Sequence, residues 1–160
     1  MDNQFSIQEI VEIAIEIEKN GAQLYKSLTE LAETSHVKEL FSYLTEEEKR
    51  HVSRFEEILI SLGGYQIPKD YYTLEYMDYM KALADEQVFH KDIKPLEVAK
   101  AIKTPLEAVE MAIGFEKDSI IFLYEMRDMV PDNDKESIQK LVNEERDHIR
   151  RLSAIKNQIT

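Results

Sequence analysis

Four glutamates and two histidines fall where a helical protein ordinarily buries hydrocarbon. Stepping through residues 7–33 by alternating fours and threes gives Ile7, Val11, Ala14, Glu18, Gly21, Tyr25, Leu28 and Ala32. The same walk gives Val37, Phe41, Leu44, Glu48, His51, Phe55, Ile58 and Leu62. Two further walks give Val109, Ala112, Glu116, Ser119, Leu123, Met126 and Val130, then Ile138, Leu141, Glu145, His148, Leu152, Ile155 and Ile159. Such a period marks the buried seam of a helix in a bundle. Each seam is apolar at its ends and ionisable at its centre. Residues three apart share a helix face, so Glu48 with His51, and Glu145 with His148, point inward together.

Burying an unpaired carboxylate costs several kcal/mol, and four would rival the ~5–15 kcal/mol net stability of a domain. No Lys or Arg occupies a central seam position, and two histidines neutralise at most two of the four charges. Two divalent cations balance four carboxylates. Mixed Glu and His ligation suits iron or manganese, and zinc is compatible too. The competing reading is a polar core of protonated or solvated groups. A single Glu-x-x-His arises by chance on charged helices. Two copies, each matched to a lone Glu on another seam, are far more specific.

The elements that must position these groups are legible from their punctuation. Ser6 with Glu9 has the capping-box pattern, with Phe5 and Ile10 as its staple. Thr104 with Glu107 repeats it, with Pro105 at the first helical position. Asn133 with Glu136 marks a start after Pro131, and Thr34 and Ser35 give a weaker one for a helix running toward Gly63 and Gly64. Long helices are expected over 7–33, 36–62, 105–130 and 134–159. Their short connections favour antiparallel pairs. Between them lies a crossover, 65–104, holding Tyr65, Tyr71, Tyr72, Tyr76 and Tyr79. Residues 73–87 read as one additional short helix capped by Thr73. The tyrosines are expected to pack on the bundle, in preference to lining a binding site.

The chain also repeats itself. EIAIEIEKNGAQLY is matched by EMAIGFEKDSIIFL, and EEEKRHVSRF by NEERDHIRRL. Glu18 to Glu116 is an offset of 98; Glu48 to Glu145 and His51 to His148 are both 97. The expectation is a single domain over 1–160, with pseudo-twofold halves of about 1–64 and 105–160.

With 20 Lys and Arg against 32 Asp and Glu, the net charge is −12, which disfavours nucleic acid and anionic lipid as partners. The absence of cysteine excludes disulfides, thiolate catalysis, iron–sulfur clusters and thiolate-bound iron from these residues. No run of ~18 apolar residues is present to span a membrane. The first residues lack a signal-peptide pattern, so a cytoplasmic location is expected.

These residues make the chain resemble the ferritin-like superfamily, in particular the diiron domain of rubrerythrins. The resemblance rests on EIEKNG…EEEKRH and GFEKDS…NEERDH and covers nearly the whole chain. It implies an all-α, ferritin-like four-helix bundle. It also implies that Glu18 and His51 are terminal ligands of one iron, Glu116 and His148 of the other, and that Glu48 and Glu145 bridge. The implied activity is reduction of hydrogen peroxide, or oxidation of Fe(II) with peroxide or O₂. Non-catalytic iron binding or storage is the alternative, and a scaffold using metal for stability a third reading. Two departures stand out. Rubrerythrins usually add a cysteine-rich rubredoxin domain, so this chain is expected to use an external donor such as a rubredoxin-like protein. They also carry a carboxylate three residues after the third-helix ligand, where this chain has Ser119. A homodimer is expected from the resemblance.

Tyr25 lies one heptad after Glu18, either donating a hydrogen bond or proton near the metals or serving as an ordinary core tyrosine. His36 and His90 fall off the seams and read as surface or packing residues. Arg50, Arg146 and Asp147 adjoin the expected ligands but point away, as solvated charge or as support for them.

Overall fold

A computed structural model describes residues 5–71, 73–86 and 94–159, with Tyr71 described by its backbone alone. Tyr72 and His90 lie outside the described residues, as does the side chain of Tyr71. The described residues are helical, with no strand: α1 (Ile7–Leu31), α2 (Ser35–Leu62), α3 (Leu74–Asp85), α4 (Pro95–Ala101), α5 (Pro105–Met129) and α6 (Asp132–Ile159), plus a 3₁₀ turn at Lys69–Tyr71. None of these helices is long and apolar enough to cross a membrane.

Local chemistry sets the helix ends. Both arms of the Ser6–Glu9 capping box are made, and Phe5 packs on the core that contains Ile10. The Thr104 side chain accepts from the Glu107 amide, but the Glu107 carboxylate takes the Lys103 amide instead of closing the box. Thr34 caps α2 by backbone conformation alone. Gly63 ends α2 at φ 52°, a left-handed conformation that costs glycine no Cβ clash. The fourth long helix starts at Asp132, directly after Pro131, and not at the expected Asn133–Glu136 box; the Asp134 amide bonds to Pro131 O.

α1 packs chiefly on α2 and α5 on α6, with α1 also touching α5, and α2 touching α6. Gln8, at the start of α1, donates to Gly63 O, at the end of α2, and Lys156 near the end of α6 pairs with Glu110 near the start of α5. Ser61 donates to Asp134, placing the end of α2 at the start of α6. Each of these pairs is therefore antiparallel. The crossover must then run the bundle's full length, about 38 Å for a 25-residue helix.

Along the way α3 buries Met77 and Met80, with Thr73 as its cap, as expected. Tyr65 and Tyr76 pack against the core, and Tyr79 stays 43% exposed. The crossover holds a second short helix that was not expected, α4, which packs on α1 through Ala99.

The apolar core is split in two. One cluster gathers Val11, Phe55, Leu123, Met126 and Leu141; the other gathers Leu28, Phe41, Leu44, Val109 and Leu152. The polar seam centres lie between them.

Candidate metal centre

Each long helix brings its central residues into this layer. Glu18, Glu48, His51, Glu116, Glu145 and His148 are all at most 2% exposed. Glu18, Glu48, His51 and Glu145 offer donor atoms lying within 4.8 Å of one another, and so do Glu48, Glu116, Glu145 and His148. The two sets share Glu48 and Glu145. Both histidines aim Nδ1 inward. His51 Nδ1 is 3.3 Å from Glu18 and 3.1 Å from Glu145; His148 Nδ1 is 2.9 Å from Glu145 and 3.5 Å from Glu116.

Proximity here is not satisfaction. Both oxygens of Glu48, Oε2 of Glu116, Oε2 of Glu145 and both nitrogens of His148 are buried without a hydrogen bond of acceptable geometry. Orphaned buried polar atoms are rare in native proteins and demand an explanation. Five of them, all but His148 Nε2, lie in the Glu48, Glu116, Glu145 and His148 set and have the donor chemistry of a site for divalent cations.

The electrostatics of the metal-free site point the same way. Burial, then Glu18, Glu145 and Glu116, pushes the Glu48 carboxyl well above its usual range. Burial and Glu145 do the same to Glu116. Burial opposes charge on Glu145 too, but His51 and its other neighbours outweigh it and hold that carboxyl low. Burial would lower both imidazoles. Glu145, Glu144 and Glu18 instead hold His51 well above its ordinary value, and Glu116 and Glu145 push His148 up to about 9. Retained protons thus offset the charge of the clustered carboxylates.

The structure adds partners around this set. Tyr25, fully buried, donates from its hydroxyl to Glu116 Oε1 at 2.6 Å, while its ring packs on Phe41 and edge-on to Phe115. This contact fits both a donor beside the central carboxylates and a core tyrosine with its hydroxyl satisfied. Ser119 Oγ lies within donating distance of Glu18 Oε1 (3.1 Å) and Glu145 Oε1 (3.3 Å).

Two buried or half-buried carboxylates escaped the sequence reading. Glu144 lies 3.0 Å from His51 Nε2, and Glu47 lies 3.6 Å from His148 Nε2. Each precedes a shared carboxylate on one helix and backs the histidine of the other helix. Arg50 pairs with Glu47, and Arg54 with Glu144 at 3.2 Å. The signal was present: Glu47 and Glu144 obey the same 97-residue offset as the histidines. Arg146 bonds Tyr124 and Asn143, and Asp147 pairs with Arg150 and Arg151; neither meets the central set in these contacts. His36 is exposed.

The rubrerythrin family model matches residues 9–156, spanning all of these groups. The chain belongs to the rubrerythrin family. A crystal structure from Thermotoga maritima, described as that of a ferritin-like diiron-carboxylate protein, superposes on this rubrerythrin-family chain with a TM-score of 0.71 at 23% identity, covering 100% of both chains. That likeness shows the ferritin-like fold. No curated protein matches the chain.

Proposed function

We propose that this chain is a non-haem diiron oxidoreductase that reduces hydrogen peroxide, or oxidises Fe(II) with peroxide or O₂, using electrons from an external donor. The observation that carries this reading is the pair of four-donor sets sharing Glu48 and Glu145. Glu18 and His51 would hold one ion and Glu116 and His148 the other, with Glu48 and Glu145 available to both. Iron is the metal that the family favours; manganese and zinc fit the same donors. Two ferrous ions supply one electron each, matching the two that peroxide needs to become water.

The protein's own residues do the rest. The apolar clusters on either side exclude bulk water from the layer, which strengthens its electrostatics. Ser119 steadies Glu18 and Glu145. The backing carboxylates Glu144 and Glu47 orient the imidazoles so that Nδ1 faces inward. Burial first, then Glu116, raises the Tyr25 hydroxyl well above its ordinary value, so it keeps its proton 2.6 Å from a ligand oxygen. Its position beside Glu116, and not its acidity, is what offers Tyr25 as a proton donor to the site.

Stopped-flow absorption of the reduced, iron-loaded protein tests the proposal. Peroxide should oxidise both irons in one two-electron step, and O₂ should do so somewhat more slowly. Turnover should stall until a reductant such as reduced rubredoxin is added. If neither oxidant changes the spectrum while both irons stay bound, the oxidoreductase reading fails.

A further inference from the structure

A cation bound for this centre must cross a protein whose six central groups are at most 2% exposed. Most ways in are closed. The apolar clusters fill both ends of the bundle and offer a charge no ligand along the way. α1 on α2 and α5 on α6 are the closely packed pairs. Between α1 and α5, the buried Phe115 ring lies so near Gly21 that a Cβ there would come within 2.5 Å of it.

The α2–α6 side is different, because polar atoms lead from solvent to the central carboxylates. Glu144, with 31% of its side chain exposed, lies 3.0 Å from His51 Nε2, and His51 Nδ1 lies 3.1 Å from Glu145. Glu47 lies 3.6 Å from His148 Nε2, which is buried without a hydrogen bond of acceptable geometry. Glu47, His51 and His148 offer donor atoms within 4.8 Å of one another, a third set beside the two that share Glu48 and Glu145. The imidazoles stack at 5.5 Å, so a single layer of rings parts this outer set from the centre. On the solvent side Arg50 pairs with Glu47 and Arg54 with Glu144; the two arginine side chains are 63% and 39% exposed.

We propose that Glu47, Glu144 and His148 Nε2 form the port at which a divalent cation is captured on its way to the centre, with Arg50 and Arg54 as its latches. Capture releases the two guanidinium groups to solvent and exchanges water on the cation for carboxylate and imidazole, donors that suit iron, manganese and zinc. The Nδ1 atom of the same His148 ring lies 2.9 Å from Glu145, so this residue reaches both the outer and the inner station. No electron is transferred and no covalent bond of the protein breaks. The inference rests on the metal-centre reading and is independent of its redox chemistry.

Stopped-flow uptake of Co(II) by the metal-free chain, followed by the visible absorption of the ligated ion, tests the port without turnover. Release is read by mixing the loaded protein with excess chelator. Arg50→Gln with Arg54→Gln should speed both uptake and release by about threefold or more, the scale of two exposed ion pairs, because entry and exit share one path. Lys49→Gln with Lys140→Gln removes the same charge from the same two helices, at pairs with Glu46 and Glu136 that do not cover the port, and should leave both rates within about twofold. Arginines that merely repel the cation leave another signature: their removal speeds uptake and slows release. That signature, or equal effects in the two pairs, overturns the port. Glu47→Gln with Glu144→Gln should slow uptake by about tenfold or more. Uptake at the wild-type rate with release alone accelerated would make these carboxylates supports of the histidines and nothing more, which also overturns it. If the wild type binds no Co(II), the metal-centre reading falls together with the port; if it loads two ions at rates that ignore the latches, the port alone falls.

Discussion

The Tyr25 hydroxyl donates to Glu116 Oε1 at 2.6 Å, across 91 residues of sequence and between α1 and α5. Tyr25→Phe keeps the ring packing on Phe41 and Phe115 and removes only this donor. Iron content should stay at the wild-type level while the rate of peroxide-driven oxidation falls by about 10²-fold, the lower range for loss of a positioned acid. Metal analysis beside stopped-flow rates separates this from loss of the site; equal rates in both proteins would make Tyr25 a packing residue.

Glu144→Gln and Glu47→Gln leave the six central residues in place but weaken the support behind His51 and His148. Loss of such a partner typically costs about 10–100-fold in metal affinity. Competition with a chelator measures it. Glu144, with the shorter approach, should matter more; wild-type affinity in both variants would mean the contacts are incidental.

Without metal, stability should fall as pH rises above neutrality. His148 is raised from 6.5 to about 9, so its contribution is complete below 6.5 and is lost as pH climbs through 9. That shift corresponds to about 3 kcal/mol. Glu48 and Glu116 are also raised and act in the same direction from 4.5 upward. Glu145 is lowered, so its contribution is lost only as pH falls below 4.5. Melting temperatures of the metal-free protein should therefore drop between pH 6.5 and 9. Metal affinity should rise over the same range, because ligation displaces the histidine proton. A flat melting profile would contradict the electrostatics described for the site.

Gly21 lies one turn beyond Glu18. A Cβ there would come within 2.5 Å of Phe115 Cζ and 3.5 Å of Glu48 Oε2. Alanine favours a helix over glycine by about 1 kcal/mol, but overpacking a fixed ring costs about 1–3 kcal/mol. Phe115 is fully buried against Tyr25, so its ring has little room to yield. Gly21→Ala should be destabilising in chemical denaturation; a stabilised variant would show that Phe115 moves freely.

The sequence carried the long helices and the six central residues because both are written in one period. A seam that is apolar at Val11 and Leu28 and acidic at Glu18 states burial and charge together, and every central residue of that kind is buried. Capping residues were legible at Ser6, where side chain and backbone are three residues apart. The α6 start was misplaced because Pro131 allowed Asp132 to enter the helix before the Asn133 box. Glu47 and Glu144 were missed because they lie off the seam by one residue. Their burial comes from α2 meeting α6, a tertiary contact that periodicity within one helix does not encode. α4 was missed for a similar reason: its seven residues are too few for a period, and Ala99 is buried only because α1 lies beneath it.

The central claim is that six side chains on four helices hold two metal ions. Crystals of the iron-loaded protein, with anomalous scattering recorded at the iron edge, test it most directly. Two peaks per chain are expected, about 3.5–4 Å apart, with Glu48 and Glu145 reaching both and His51 and His148 ligating through Nδ1. One peak, or two ions held by other residues while Glu48 and Glu145 point away, would contradict the account.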